Sequence, residues 1–232
     1  MSTRFSVSVI MPIYNEEEIV VNAMFQTYEA LQNSHCDFEL IVVDDGSIDN
    51  SVALIMNFVE HKINCKLIKK QSNEGFGAAV RAGFSIAQKE YLLCVPADSP
   101  MDEITLKLFI EHYKKADVLV SYREERLGYT VWMRLNSAVF HYLITWLFGM
   151  KLKDYNWIHL YHRKIFEQGQ IHIEYDGIFM LAEILIKAKR KGFTVFEFPV
   201  QQRQRLTGIA SASKLVNVLK TTRDVFKFRL LG

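Results

Sequence analysis

The first two thirds of the chain alternate β-branched apolar runs with segments whose apolar residues recur every three or four positions. The strand-like runs cover 6–13, 38–43, 66–69, 91–95 and 117–121. Parallel strands need long crossover connections, which are commonly helices, so this alternation is typical of a parallel sheet covered on both faces. The sequence therefore predicts an α/β protein with a mostly parallel central sheet flanked by helices.

Turn residues mark the beginnings of the helix-like segments. Asn15 stands three residues before Glu18, which predicts an N-cap and its capping-box partner for the helix that carries Ile19 to Leu31. Ser47 or Asp49 is expected to cap the second helix, because both side chains accept hydrogen bonds from free backbone amides.

The regular alternation stops after residue 121. Helices are predicted near 131–148 and over 177–191, a segment at 154–163 lies between them, and a strand follows at 194–199. No internal repeat or low-complexity linker interrupts the sequence. We therefore expect residues 1–232 to form a single domain, in which the second half is built onto the same sheet.

The composition is that of a globular protein, because half of the 232 residues are hydrophobic and 23% are charged. Cys36, Cys65 and Cys94 lack paired spacing, so neither a disulfide framework nor a zinc site is expected, and a reducing, cytoplasmic setting fits. The amino terminus has no signal-peptide pattern. The longest apolar run, 139–150, is shorter than the ~18 residues that span a bilayer.

Positive charge is concentrated at the end of the chain, although the net charge is only +2. From Gln201 onward there are seven Lys/Arg and one acid, Asp224. Within 213–232 the apolar residues fall near one helical face, a pattern typical of helices that lie at a membrane interface. Ordinary packing of this segment against the domain is the alternative. A nucleic-acid partner is not expected.

Acidic residues follow three of the predicted strands. Asp44 and Asp45 end the second strand, Glu16 follows the first, and Asp98 follows the fourth. In open parallel sheets ligands bind outside the carboxyl ends of the strands, so these acids are expected at one edge. A divalent metal or a ribose would offset their repulsion. The alternative for Asp44-Asp45-Gly46-Ser47 is a simple turn held by an Asx bond.

The strand-end segments resemble the motifs of the inverting nucleotide-sugar glycosyltransferases of family 2, which have the GT-A fold. The matching segments are Pro12-Ile-Tyr-Asn-Glu16, Val43-Asp-Asp-Gly-Ser47, Asn73-Glu-Gly-Phe-Gly-Ala-Ala-Val-Arg-Ala-Gly83 and Ala97-Asp98. Later segments resemble the dolichyl-phosphate mannose synthase and polyprenyl-phosphate glycosyltransferase branch. They are Ser121-Tyr-Arg123, Arg134 with Ser137, Asp154 with Arg163, Glu197-Phe-Pro-Val200, and Arg205 followed by Gly208, Ser213 and Lys214.

This resemblance implies a nucleotide-binding half at 1–98 and an acceptor half at 99–232. The implied substrate-binding residues of the first half, most of them for the nucleoside, are Pro12, Tyr14, Glu16, Asp44, Asp45 and Asn73. Asp98 is implied as the ligand of Mg²⁺ or Mn²⁺, which stabilises the departing diphosphate. Pro96 stands where the family commonly has a second acid, so the metal is expected to rest on Asp98, with the main chain or Asp102 as further ligands.

The basic residues of the later motifs are implied to surround phosphate groups, since an arginine fork suits bidentate phosphate binding. They are Arg123, Arg134, Arg205 and Lys214, with Ser137 and Ser213 beside them in the substrate site. Asp98, Asp154, Arg123 and Arg134 are the expected catalytic residues. The alternative role of Asp154 is to orient Arg123 or Arg205. A lipid phosphate needs no general base. A hydroxyl acceptor requires one, and Asp154 is then the candidate.

The expected function is inverting, metal-dependent transfer of a sugar from a UDP- or GDP-sugar to a polyprenyl phosphate. Such a lipid substrate implies peripheral contact with the cytoplasmic face of a membrane or a separate membrane partner. Two alternatives stay open: transfer to a glycan or protein hydroxyl, and a non-catalytic module that binds nucleotide sugars. The second is encouraged by Pro96 and by Asp154-Tyr-Asn-Trp-Ile-His159, where the branch usually shows Ser-Gly-Phe. His159 and His162 are a weak candidate metal pair, because no third ligand has zinc-site spacing.

Overall fold

The computed structural model describes residues 4–125, 128–201 and 215–231. Seven strands form one sheet, to which both halves of the chain contribute. The strands are β1 (Ser6–Ile13), β2 (Asp37–Asp44), β3 (Cys65–Lys69), β4 (Tyr91–Cys94), β5 (Val118–Arg123), β6 (His159–His162) and β7 (Val195–Val200). The predicted strands are thus present, and the second half extends the same sheet as expected.

Seven α-helices flank the sheet in the described ranges. They are α1 (Val20–Asn33), α2 (Ser51–Glu60), α3 (Phe76–Ile86), α4 (Glu103–His112), α5 (Val131–Phe148), α6 (Phe179–Arg190) and α7 (Leu215–Leu231). Helix α5 has the predicted bounds, because Thr130 caps its first turn through Met133 N and Gly149 ends it at φ 64°. No helix among the described residues is both long and apolar enough to cross a membrane.

The strand order is β3-β2-β1-β4-β6-β5-β7. All neighbouring pairs are parallel except β4 with β6 and β5 with β6, so β6 alone runs against the other strands. The carboxyl ends of β1, β2, β4 and β5 therefore lie at one edge of the sheet. The amino-terminal end of β6 lies at the same edge, because its direction is reversed.

Two apolar layers hold the sheet between the helices. Alternate residues of β1 divide between them: Val7, Val9 and Met11 pack with α1, α2 and α4, whereas Ile10 packs on the other side with α3 and α6. Helix α7 joins the second layer through Val225 and Phe228. This period-two division is the expected consequence of burying a strand on both faces.

Two of the predicted caps are wrong. Asn15 does not cap α1, which begins at Val20 without a side-chain cap. Instead the Asn15 carboxamide accepts a hydrogen bond from Ile48 N, and Asn15 N donates to Ser47 Oγ, which joins the loops after β1 and β2. Asn50 precedes α2 without a capping bond, so Ser47 and Asp49 are not its N-cap, although Asp49 accepts from Ser51 N.

The amino-terminal turn of α3 is in close contact with the loop that precedes α6. Gly77 N donates to Asp176 O at 2.8 Å, and Arg81 bonds the Asp176 carboxylate at 2.6 Å and Ile173 O at 3.2 Å. A Cβ on Gly77 would fall inside contact distance of the Tyr175 carbonyl oxygen. The backbone of the second half can therefore approach α3 only because residue 77 has no side chain.

Gly77→Ala is expected to lower the free energy of unfolding by about 1–3 kcal/mol, the usual cost of overpacking. Helix propensity alone predicts the opposite sign, since Ala is favoured over Gly within a helix by about 1 kcal/mol. Urea unfolding of the variant decides between the two. Ser85→Ala, at an exposed site of the same helix, is the control and is expected within about 0.5 kcal/mol of wild type. A Gly77→Ala protein at least as stable as wild type would contradict the close approach.

Candidate active site

The site lies at the sheet edge where β1 and β4 are neighbours. From β1 the chain passes to β2 and β3 on one side, and it then crosses back to β4 on the other side. This is a topological switch point, where the loops diverge and leave a crevice for a ligand. The loops after β1, β4 and β5 and the segment before β6 border this crevice.

A cavity of about 280 Å³ occupies this crevice. Among its lining residues are six of those predicted from sequence: Pro12, Glu16, Asp98, Arg123, Ser137 and Asp154. Polar and charged groups line the end at the sheet edge. The other walls are apolar and come from α3, α5, α6 and α7; they include Phe76, Met133, Val139, Phe140, Leu143, Ile178, Leu181 and Val218.

Glu16 and Asp98 bring negative charge to the edge of the cavity. Burial, followed by the charges of Asp98 and Asp49, raises the pKa of Glu16 to about 7. The Glu16 Oε2 atom is buried and has no hydrogen-bond partner among the described residues. An oxygen in this state gains from a cation or donor brought by a ligand, since unpaired buried charge is costly.

Arg123 and Asp154 form a buried ion pair at the centre of the polar end. Arg123 Nε and Nη2 each lie 2.8 Å from Asp154 Oδ2, and the two side chains are 4% and 2% exposed. Asp154 Oδ1 accepts from Asn156 N, and Arg123 Nη1 donates to the Tyr129 hydroxyl at 2.6 Å. The guanidinium also lies 4.4 Å from the centre of the Trp157 ring. The ion pair fixes the position of the Arg123 guanidinium, and the catalytic role of Asp154 stays a prediction.

The two acids that end β2 are engaged by their own loops. Asp44 is fully buried and accepts hydrogen bonds from Gly46 N and Ser47 N, which is the Asx turn of the alternative interpretation. Asp45 is 3% exposed and accepts from Lys70 Nζ at 2.6 Å and Gly75 N at 2.7 Å. Neither lines the cavity that contains Asp98. In this structure Asp44 and Asp45 hold the loops together, and their role as substrate contacts stays a prediction.

Three other predicted residues also lie outside the cavity lining. Tyr14 and Asn73 are exposed on loops, and Arg134 is exposed on α5. Arg205, Ser213 and Lys214 lie outside the described residues. Asp102 is used elsewhere, because its carboxylate caps α4 through Ile104 N and Thr105 N. It is therefore an N-cap in this structure and not the second metal ligand considered from sequence.

The two histidines of β6 do not form a metal pair. His159 is fully buried, its Nδ1 contacts the Tyr161 hydroxyl, and burial lowers its pKa to about 4. His162 is half-buried and lies 3.5 Å from Glu90. No group of three His, Cys, Asp or Glu side chains that could hold a metal ion is found among the described residues. A metal at Asp98 would thus need oxygen atoms from its ligand.

Several residues of the polar end were not predicted from the sequence. Tyr129, Asn136, Asn156 and Trp157 line the cavity. The one signal that could have indicated two of them is the altered segment after Asp154, which contains both Asn156 and Trp157. The other two stand apart from the matched motifs and reach the cavity only through the fold.

The fold matches that of solved GT-A glycosyltransferases. Two solved structures of glucosyl-3-phosphoglycerate synthase from Mycobacterium tuberculosis are similar. One, in complex with Mn²⁺, UDP-glucose and phosphoglyceric acid, has a TM-score of 0.76 at 14% identity over 100% of this chain and 81% of that one. The other, with Mn²⁺, UDP and glucosyl-3-phosphoglycerate, has a TM-score of 0.75 at 15% identity over 98% and 80%. These identities show a shared fold.

The family follows from the sequence. The model of glycosyl transferase family 2 matches residues 8–182, which is most of the chain. This protein therefore belongs to glycosyltransferase family 2 and is a glycosyltransferase. The expected α/β class with a mostly parallel sheet is confirmed.

The raised pKa of Glu16 predicts that the free energy of unfolding of the metal-free protein depends on pH. Between the ordinary pKa of 4.5 and about 7 the folded state keeps a proton that the unfolded state has released. Stability is therefore lost as pH rises through this window, by up to roughly 3 kcal/mol. Glu16→Gln is expected to remove that loss and to be more stable than wild type at pH 8.

Urea unfolding at pH 5 and pH 8 in the presence of a chelator measures this effect. Glu18→Gln, at an exposed neighbouring acid, is the control and is expected to follow wild type at both pH values. Equal pH dependence in wild type and Glu16→Gln would refute the electrostatic account of this residue.

The buried ion pair predicts strong coupling between its two members. Arg123→Met or Asp154→Leu alone leaves an uncompensated buried charge and is expected to cost about 3–5 kcal/mol. The double variant removes both charges and is expected to cost well below the sum of the two. A double-mutant cycle by urea unfolding measures the coupling, and strict additivity would show that the pair does not act as a unit.

Proposed function

We propose that this glycosyltransferase moves a sugar from a UDP- or GDP-sugar to a lipid phosphate of the polyprenyl type, with inversion and with Mg²⁺ or Mn²⁺ as cofactor. The observation that carries the proposal is the cavity, which joins an acidic and polar end at the sheet edge to apolar walls. A phosphorylated sugar donor suits the first, and a lipid suits the second. This function would be that of the dolichyl-phosphate mannose synthase and polyprenyl-phosphate glycosyltransferase branch.

The acidic end fits a divalent cation. Asp98 and Glu16 line it together, and the Glu16 Oε2 atom lacks a partner that a cation would supply. Mg²⁺ and Mn²⁺ prefer oxygen ligands and bind through one or two carboxylates plus substrate phosphates, which suits a site without a second acid at Pro96. When bound, the metal stabilises the charge of the departing diphosphate. The similar structures were solved with Mn²⁺ and UDP or UDP-glucose, which favours a UDP-sugar donor here.

The nucleoside is proposed to lie along the loops after β1 and β2, against Pro12, Tyr14, Asp45 and Asn73. Residues 1–98 would then form the donor half and 99–232 the acceptor half of one domain. Arg123 is held by Asp154 and lines the cavity, where it is proposed to support the developing negative charge of the diphosphate or the acceptor phosphate. A phosphate oxygen is ionised near neutral pH, so no residue has to remove a proton from it.

The apolar walls and the surface of α5 favour a lipid over a soluble acceptor. Trp132, Leu135, Val139, Tyr142 and Trp146 recur at spacings of three and four and are 49–68% exposed; we call them the α5 stripe. Val139 belongs both to the stripe and to the cavity lining. An exposed stripe rich in Trp and Tyr is typical of helices at a membrane interface. A lipid phosphate could therefore reach the cavity without its chain crossing water.

The test is transfer of radiolabelled sugar from a panel of UDP- and GDP-sugars to polyprenyl phosphate in phosphatidylcholine vesicles containing phosphatidylglycerol, with Mn²⁺. We expect label in the organic phase with at least one donor and none when Mn²⁺ is chelated. The variant Tyr142→Glu/Trp146→Glu is expected to lower transfer in vesicles at least tenfold and to weaken co-sedimentation with them. Transfer to a short-chain, water-soluble polyprenyl phosphate should be retained.

Ile63→Glu introduces the same charge at a fully exposed apolar residue away from α5 and is the control, expected to behave as wild type. Absence of transfer with every donor would count against the proposed reaction. Transfer to 3-phosphoglycerate in preference to the lipid phosphate would overturn the acceptor assignment alone.

A further inference from the structure

Unpartnered buried polar atoms are concentrated in the cavity. Six such side-chain atoms occur among the described residues, and four belong to residues that line it: Glu16 Oε2, Asn136 Nδ2, Asn156 Oδ1 and Trp157 Nε1. Buried polar groups are almost always hydrogen-bonded, because an unpaired one has lost its hydrogen bonds with water and gained none in return. Four unpartnered buried atoms in one cavity indicate that a bound ligand supplies their hydrogen-bond partners.

Three of these atoms belong to uncharged side chains, and together they have a distinctive hydrogen-bonding character. Asn136 Nδ2 and Trp157 Nε1 are donors, whereas Asn156 Oδ1 is an acceptor. A phosphate offers only acceptors, so it would leave Asn156 unsatisfied, and a hydrocarbon chain would satisfy none of the three. A hydroxyl group donates and accepts. The set is therefore complementary to a group that carries several hydroxyls.

The three residues line the same cavity as Asp98. Strands β4 and β6 are antiparallel and their ladder ends with Leu93 opposite Leu160, so the chain that leaves β4 and the chain that enters β6 lie at the same edge of the sheet. The residues before β6 are thus neighbours of the segment that contains Asp98. Asn156 N bonds the Asp154 carboxylate, and the Trp157 ring packs on Arg123, so both residues are held by the buried ion pair.

We propose that Asn136, Asn156 and Trp157 form a sugar-hydroxyl site that recognises the transferred sugar of the donor and selects among sugars. This inference rests on the proposed function only in taking a nucleotide sugar as the donor. Sites built to hydrogen-bond a substrate hydroxyl reject analogues that lack or misplace it, because their own polar groups then stay unpaired. The site therefore sets sugar preference, while the loops after β1 and β2 set the preference for the base.

Calorimetric titration with Mn²⁺ tests this, because it separates sugar recognition from transfer to the acceptor. Wild type, Asn136→Ala, Asn156→Ala and Trp157→Phe are titrated with UDP, GDP, UDP-glucose, UDP-galactose, UDP-N-acetylglucosamine and GDP-mannose. Trp157→Phe removes the N–H and keeps a ring against Arg123. We expect each variant to bind the preferred nucleotide sugar at least tenfold more weakly, to bind the free nucleoside diphosphate within twofold of wild type, and to distinguish epimers less.

Asn57→Ala, at an exposed amide on α2, is the matched control and is expected to leave every constant unchanged. Thermal unfolding verifies that each variant is folded. If wild type binds no nucleotide or nucleotide sugar, both the donor assignment and the sugar site fail. If wild type binds a nucleotide sugar and the three variants bind it equally well, the sugar site fails and the proposed function stands. A selective rise in KM for the lipid phosphate, with donor binding unchanged, would likewise overturn the sugar site.

Discussion

The reversed direction of one strand is the constraint on which the site depends. Because β6 runs against β4 and β5, its amino-terminal end reaches the edge at which the other strands end. The segment from Asp154 to Ile158 is thereby placed beside the residues that follow β4 and β5. A parallel β6 would carry this segment to the opposite edge. Neither the buried ion pair nor the polar end of the cavity could then form.

The acidic residues at this edge differ in whether the protein itself supplies their partners. Asp154 forms an ion pair with Arg123, and Asp45 forms one with Lys70. Asp44 accepts hydrogen bonds from backbone amides of its own turn. Glu16 keeps an unpaired oxygen beside Asp98. The first three already have partners within the protein. The fourth is satisfied only when a ligand brings positive charge or a donor, which is the physical mark of a binding residue.

The cavity joins a polar end to apolar walls. Its polar end opens at the sheet edge, whereas α5 supplies both an apolar wall and, through Val139, the border of an exposed aromatic stripe. Helix α7 closes the same side by packing on α5 and α6, with Lys220, Arg223 and Lys227 exposed. Aromatic and basic surfaces thus lie on neighbouring helices, the arrangement on which the proposed lipid acceptor depends.

The sequence by itself determined the elements and the edge at which chemistry occurs, because period-two and period-3.6 patterns are local and strand ends carry the motifs. It predicted α5 with its observed bounds and indicated six residues that the structure brings to one cavity. Only the tertiary structure decided which acids are hydrogen-bonded within their own loops, that Asn15 joins two loops instead of capping α1, and that Asn136 lines the same cavity as Asn156 and Trp157. These outcomes depend on competition for hydrogen bonds between segments distant in sequence, and that competition is settled by strand order and direction, which no local pattern encodes.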